Sequence, residues 1–466
     1  MALDDIRSRI RPEWVLAVGI LDFSLEQAVI APALPLVAQR YDASATDVVW
    51  LITAFLLTAA IATPLAGRLG DQYGRRRLLL CSVGAFVAGS VVCAVGGSLE
   101  VLVGGRAVQG LGAGTAPLAL ALVRDHVPPE RVSRAVGILV GAAGGGAVLG
   151  LLGGSLLVDA GSLAALFWAL AAVATLTFTA IALAVPESPV RAAVPVDWAG
   201  GGLLGTGLVA LVLAISQCND WGWDSTRVLG LFVVAAAGLA GFAGRQRTAR
   251  SPLFDPGLLV RRPVWSAQVL TFLAGLVAFS HLAALPLLAG LPKSTGYGLG
   301  LTTTQIGAVL VPSSIAALIS GPMAARLAPR VGTRALIVGG LLCIALGNAI
   351  LVVFPVSVLT IVLAGVPLGL AFGPTIGTTL DLVLASAANE ESGAALGLTN
   401  EVRTVGSALG ATVAAAVLVA GGEVAPGVPV ASAFDDAFGT FAVASLVAIA
   451  FVPLLPRGGP VHARIE

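Results

Sequence analysis

Stretches of about 20 mostly apolar residues follow one another along the chain, each bounded by charged or turn-forming residues. Fourteen can be drawn, at roughly 14–38, 48–67, 78–97, 100–123, 135–158, 162–185, 197–217, 227–244, 264–290, 305–325, 335–354, 357–380, 394–421 and 437–456. A segment of that length, apolar on every side, satisfies its own backbone as an α-helix and spans the hydrocarbon core of a bilayer. The pattern predicts an all-α membrane protein of 14 transmembrane helices, joined by short loops without a sizeable soluble domain.

The polar positions between these segments test the count. With both termini cytoplasmic, the inner segments hold 21 of the 26 basic residues: Arg7, Arg9, Arg11, Arg68, Arg75–Arg77, Arg124, Arg131, Arg134, Arg191, Arg245, Arg247, Arg250, Arg261, Arg262, Arg326, Arg330, Arg334, Arg457 and Arg464. Outside lie only Arg40, Arg227 and Lys293, while Arg106 and Arg403 fall within spans. One missed span would invert every later loop, so this bias supports an even number of spans in the cytoplasmic membrane. Trp14, Trp50, Trp198, Trp221, Trp223 and Trp265 sit at predicted span ends, as an interfacial belt requires; Trp168 does not. The first apolar segment is too long for a cleaved signal, carries acids and lacks a cleavage site, so it is expected to remain as the first span.

Composition narrows the function. The chain is 57% hydrophobic and 11% charged, with net charge +1, and its 58 glycines suit close helix packing. Cys81, Cys93, Cys218 and Cys343 are scattered without metal-ligand spacing, so neither a disulfide nor zinc is expected. No nucleotide-binding loop, nucleophile elbow or metal cluster is present. An enzyme, an ATP-driven pump, a cofactor and a nucleic-acid partner are therefore not expected.

Chemistry concentrates in the first span. Asp22 and Glu26 are four residues apart in VLAVGILDFSLEQAVIAPALPLVA, on one helix face. A charged side chain at the bilayer centre costs about 2.5–3.5 kcal/mol on insertion scales, so such groups rarely occur without a function. Two carboxylates this close cannot both ionise without repulsion, which favours one of them holding a proton. That is the basic part of a proton-coupled transporter. Glu401 and Arg403, in span thirteen, are two residues apart and so point to different faces. Glu401 is a candidate second carboxylate. His281, in span nine, is more simply read as a packing residue.

Between spans two and three the chain reads GRLGDQYGRRRLLL from Gly67. Gly67, Gly70 and Gly74 allow a tight turn, Asp71 is placed to meet an arginine or a helix N-terminus, and Arg75 and Arg76 anchor the cytoplasmic side. This segment resembles the signature loop of the major facilitator superfamily, in which the Asp and Arg form a cytoplasmic latch. Arg106, followed by Gln109, Gly110 and Gly112, resembles the family's second motif. The resemblance implies that Arg106 responds to protonation of an acid in the first helix. Glu26 and Pro35, nine apart, resemble the first-span motif of the fourteen-span drug:proton antiporter family; Asp22 is an addition to it. Span five, GILVGAAGGGAVLGLLGGSLLVD, resembles the antiporter motif, with Gly146, Gly150, Gly153 and Gly154 as its small-residue face, though Leu149 and Gly150 stand where that motif has Gly-Pro.

Later segments, VDWAGGGLLGTG, DWGWDS, SPLFDPGLLVRRPVW and LGLTNEVRTVGSALG, extend the resemblance over essentially the whole chain. ARLAPRVGTR, between spans ten and eleven, echoes the first latch with Pro329 in the aspartate position. The family fold then implies a six-helix bundle over 1–190, two inserted helices over 191–250 and a second six-helix bundle over 251–466. The activity it implies is proton-coupled antiport exporting amphiphilic, lipophilic or cationic drugs, by a chain functional as a monomer. The alternatives are a dedicated exporter of one endogenous metabolite (an antibiotic, siderophore or lipid) and a non-transporting sensor of the same fold.

Overall fold

The computed structural model describes residues 11–189, 195–254, 257, 260–386, 392–425 and 427–455. Arg7, Arg9, Arg191, Arg457, Arg464 and parts of the segment from Ser251 lie outside the described residues. The helices, numbered in chain order, are α1 (Pro12–Ala28), α2 (Leu34–Tyr41), α3 (Ala45–Tyr73), α4 (Arg75–Val95), α5 (Leu99–Gly110), α6 (Thr115–His126), α7 (Pro129–Ala160) and α8 (Leu163–Ala184). They continue as α9 (Trp198–Trp221), α10 (Thr226–Thr248), α11 (Arg262–Gly290), α12 (Thr303–Val331), α13 (Thr333–Val353), α14 (Val358–Leu370), α15 (Thr378–Ser386), α16 (Ser392–Ala420) and α17 (Ala431–Ile449). A short antiparallel hairpin, β1 (Glu423–Ala425) with β2 (Val428–Pro429), separates the last two helices.

Among the described residues, 13 helical segments are long and apolar enough to cross a membrane. The remaining sequence span, the fourth (100–123), corresponds to α5 and α6, which a 3₁₀ turn at Leu111–Gly114 divides into two shorter helices. Three such breaks have local causes. Pro32 and Pro35 flank the α1–α2 junction and remove backbone donors there. Gly110, Gly112 and Gly114 crowd the second junction, and Pro374 lies in the π turn at Gly373–Gly377 between α14 and α15. The last helix begins at Ala431, six residues before the sequence boundary of 437, because Ala433 and Phe434 are buried and draw that turn into the helix.

By internal contacts the chain forms two compact units: Met1–Ala33, Trp50–Val209 and Val234–Leu253 make one, and Leu34–Val49, Ala210–Val233 and Phe254–Glu466 the other. Each unit is assembled on the same plan. In the first, glycines of α7 lie against α1. A methyl group on Gly146 would come within 2.3 Å of the Leu21 carbonyl oxygen, one on Gly150 within 2.8 Å of the Leu25 oxygen, and one on Gly154 within 2.2 Å of Val29. In the second, Gly406 and Gly410 of α16 meet the carbonyls of Phe272 and Leu276 on α11 in the same way, at 2.2 and 1.9 Å.

The turn before the third long helix also repeats. Gly74 precedes α4 with φ 113°, and Gly332 precedes α13 with φ 81°, backbone that a side chain would strain. Two residues beyond each glycine, an arginine reaches main chain near or just past a helix end, that of α8 in one unit and that of α17 in the other. Arg76 donates to the Ala182 carbonyl and Arg334 to the carbonyls of Pro453 and Leu455. The internal echo read from ARLAPRVGTR is thus a repeat of structure as well as of sequence.

Candidate proton-coupling site

α1 brings Asp22 and Glu26 onto one face, and both side chains are fully buried. Glycines of α7 seat Leu21 and Leu25, each one residue before an acid, so the close α7 contact fixes the rotation of α1 and hence the direction of its acids. Around Glu26 runs a chain of hydrogen bonds. The Ser90 hydroxyl on α4 donates to Glu26 Oε1 at 3.1 Å, and Gln109 Nε2 on α5 donates to Ser90 Oγ at 2.8 Å. Arg106 Nη1 in turn donates to Gln109 Oε1 at 2.7 Å.

Arg106 is itself fully buried and is held chiefly by main chain. Its Nε donates to the Leu51 carbonyl and its Nη1 to the Glu26 carbonyl, both at 2.9 Å. The nearest contact with the Glu26 carboxylate is longer, 3.9 Å from Nη1 to Oε2. The guanidinium also lies over the Phe55 ring at 4.5 Å, a cation–π contact in a dry setting. Phe23 stacks between Phe55 and Phe86, with centroids 6.4 and 6.2 Å apart, and closes the aromatic side of the site.

Several buried polar atoms here lack a hydrogen bond: both Asp22 oxygens, Glu26 Oε2 and Arg106 Nη2. The Thr177 hydroxyl of α8 lies beside Asp22. Buried polar groups are almost always paired, so this cluster of unpaired atoms sets the site apart.

The second candidate acid lacks a hydrogen-bond chain of this kind. Glu401 on α16 is buried, and neither of its oxygens has a hydrogen bond. Arg403, two residues on, donates instead to Asn400 Oδ1 at 2.9 Å. Among the described residues Glu401 and Arg403 form no direct ion pair, though each lies close enough to feel the other's charge.

At the α3–α4 turn, Arg75 reaches Asp71 Oδ1 through Nε and Nη2 at 3.0 and 2.8 Å, and Asp125 Oδ1 through Nη1 at 2.6 Å. Glu187 accepts from the Arg76 backbone N–H at 2.9 Å, and its carboxyl lies where a methyl group on Gly74 would have to go. Gly70 is needed for space as well, since a methyl there would meet Leu118 at 2.4 Å. Gly67 and Gly153 face open space, with nothing within 4 Å of an added methyl group. Sequence reasoning overlooked Ser90, Thr177, Asp125 and Glu187. Ser90 and Thr177 are single hydroxyls within apolar runs, and the two acids lie 50 or more residues from the latch they complete.

The sequence pattern described as Major Facilitator Superfamily matches residues 16–411. The chain is 30% identical over 406 residues to the tetracenomycin C resistance and export protein of Streptomyces glaucescens, covering 85% of this chain and 74% of that one. It is 29% identical over 402 residues to the multidrug efflux pump LfrA of Mycolicibacterium smegmatis, covering 85% and 78%. A crystal structure of the peptide transporter POT in complex with sulfate shares the fold, with TM-score 0.67 at 14% identity over 96% of each chain. With its fold, its latch and a family match running over most of its length, the chain belongs to the major facilitator superfamily.

Proposed function

We propose that the protein is a proton-coupled antiporter that exports amphiphilic compounds, some of them cationic, across the cytoplasmic membrane. The observation that carries this reading is the pair of fully buried carboxyls on α1, linked through Ser90 and Gln109 to a buried arginine. Relatives named for antibiotic resistance, export and multidrug efflux support the direction and the class of cargo. The six-plus-two-plus-six division of the helices, cytoplasmic termini and monomeric operation belong to the same proposal.

In this cycle Asp22 and Glu26 give up protons to the cytoplasm, and the ionised pair favours entry of a polar or cationic substrate. Protons arriving from outside discharge the pair, release the substrate and permit the return step. Arg106 and its hydrogen bonds hold Glu26 in place throughout. A membrane potential of about 100 mV supplies about 2.3 kcal/mol per charge, and one pH unit adds roughly 1.4 kcal/mol. One proton therefore sustains a gradient of several hundredfold for a neutral cargo, on the order of 3.7 kcal/mol.

Efflux measured in inverted membrane vesicles, against a panel of lipophilic cations and antibiotics with a pH-sensitive dye, tests the cycle. The double variant Asp22→Asn, Glu26→Gln is expected to lose proton-driven transport. Transport continuing unchanged in that variant removes the mechanism.

A further inference from the structure

A second set of buried polar groups lies in the C-terminal unit, away from the acid pair. His281 on α11 is buried, and both of its ring nitrogens are in hydrogen-bonding contact. Nδ1 lies 2.7 Å from the Val277 carbonyl oxygen and Nε2 lies 2.9 Å from Asn348 Oδ1 on α13. Asn348 is oriented by its other end, because Nδ2 donates to the Ile344 carbonyl at 2.9 Å. Turning the amide over would set its oxygen against that carbonyl, two acceptors with no proton between them.

With the amide in this orientation, the hydrogen-bond pattern calls for two donors on the ring. Both partners of the imidazole are oxygen acceptors, so both ring nitrogens must donate, and a neutral ring has only one N–H. Burial of an unpaired charge is costly, and the aromatic rings beside it offset part of that cost. The ring stacks on Phe438 at 5.9 Å with an interplanar angle of 15° and is flanked by Phe441 at 6.4 Å, offering aromatic faces to a positive charge.

The internal repeat supports the same reading. Ser90, the α4 hydroxyl that donates to Glu26, lies as far beyond Gly74 as Asn348 lies beyond Gly332, the equivalent turn glycine. In each unit this position of the third long helix touches a titratable side chain on the first: Glu26 in one, His281 in the other.

We infer that His281 and Asn348 form a second proton-binding site, in which His281 holds a bound proton as imidazolium and bridges α11 to α13. Loss of that proton sets the Nε2 lone pair against Oδ1, so the bridge opens or the Asn348 amide turns and abandons Ile344. The site therefore has two positions governed by one proton.

Among the described residues no other charged group contacts it. Arg262, at the opposite end, is the only other titratable residue of α11. Asp435 and Asp436 of α17 lie on its exposed face, opposite Phe438. Glu401 of α16 is nine residues before Gly410, which meets Leu276, and so lies about 13 Å further along that helix, with Arg403 close by. Asp381 of α15, Arg40 of α2, and Arg326 and Arg330 of α12 are exposed. Tyr41 ends α2, while Arg334 and Cys343 of α13 precede Asn348 by 14 and five residues.

The inference concerns the C-terminal unit alone and does not depend on the acid pair acting as proposed. Nitrogen-15 NMR of histidine-labelled full-length protein in lipid nanodiscs tests it, since the imidazolium and neutral ring forms have different nitrogen shifts. The chain has three histidines, His126, His281 and His462, so His126→Gln and His462→Gln variants assign the signal without touching the site. The expected result near neutral pH is a His281 ring with both nitrogens protonated, kept in Asn348→Asp and lost to a neutral tautomer in Asn348→Leu. A neutral His281 ring with one bare nitrogen in the unmodified protein overturns the inference. So does an imidazolium signal that Asn348→Leu leaves unchanged.

Discussion

Gly150 of α7 and Leu25 of α1 approach so closely that a single methyl group on the glycine would sit 2.8 Å from the leucine carbonyl oxygen. Glu26 is the next residue along α1, so this contact sets the angle at which the acid enters the interior. Gly150→Val is expected to destabilise the protein by about 1–3 kcal/mol through overpacking and to turn the acids out of register. Gly153→Ala, with open space around it, serves as the control. Thermal unfolding in detergent, with efflux assayed in parallel, should separate the two. Equal behaviour would contradict the packing argument.

Arg106 depends on its fork of donors, which reaches the Leu51 and Glu26 carbonyls and Gln109 together. Lysine has a single ammonium and cannot reproduce that geometry. Arg106→Lys is therefore expected to lose proton-coupled efflux although the charge is kept. Near-normal activity in that variant would mean that charge alone suffices.

Gln109 is expected to matter more than Ser90. Gln109→Leu strips Arg106 of an acceptor and Ser90 of a donor, and leaving buried polar groups unmade costs about 1–3 kcal/mol each. Ser90→Ala removes one neutral donor to Glu26, with a cost of about 1 kcal/mol. Chemical denaturation of the two variants gives the ranking directly, and the reverse order would refute the relay as drawn.

Asp125 is expected to act through Arg75. The two side chains are 18% and 7% exposed, so their contact is only partly screened. Single changes Arg75→Gln and Asp125→Asn should each slow transport, and the double variant should be little worse than either. Strict additivity in that cycle would show that the pair is not coupled.

Much of this architecture was legible in the sequence because lipid leaves a chain few options. Helices such as α4 and α11 follow from unbroken apolar runs, and the arginine bias orders them. The buried set of Asp22, Glu26 and Arg106 could be read because charge inside such runs is costly. What stayed hidden depends on contacts between distant positions. Nothing near Arg75 announces Asp125 or Glu187, and Ser90 resembles any other small residue of a membrane helix. Nor did the sequence reveal that Arg106 is held mainly by main-chain oxygens rather than by the carboxylate. The α5–α6 break was equally hidden, since the glycines from 110 to 114 permit a 3₁₀ turn without requiring one.

The main-chain anchoring of Arg106 has an electrostatic consequence. Carbonyl groups do not titrate, so the guanidinium keeps its place whatever its acidic neighbours do. With Asp22 and Glu26 both ionised, the trio sums to one excess negative charge. A first proton brings the sum to zero and a second makes it positive. Two protons thus invert the sign of the trio, from one net negative to one net positive charge, with no ion other than H+ required.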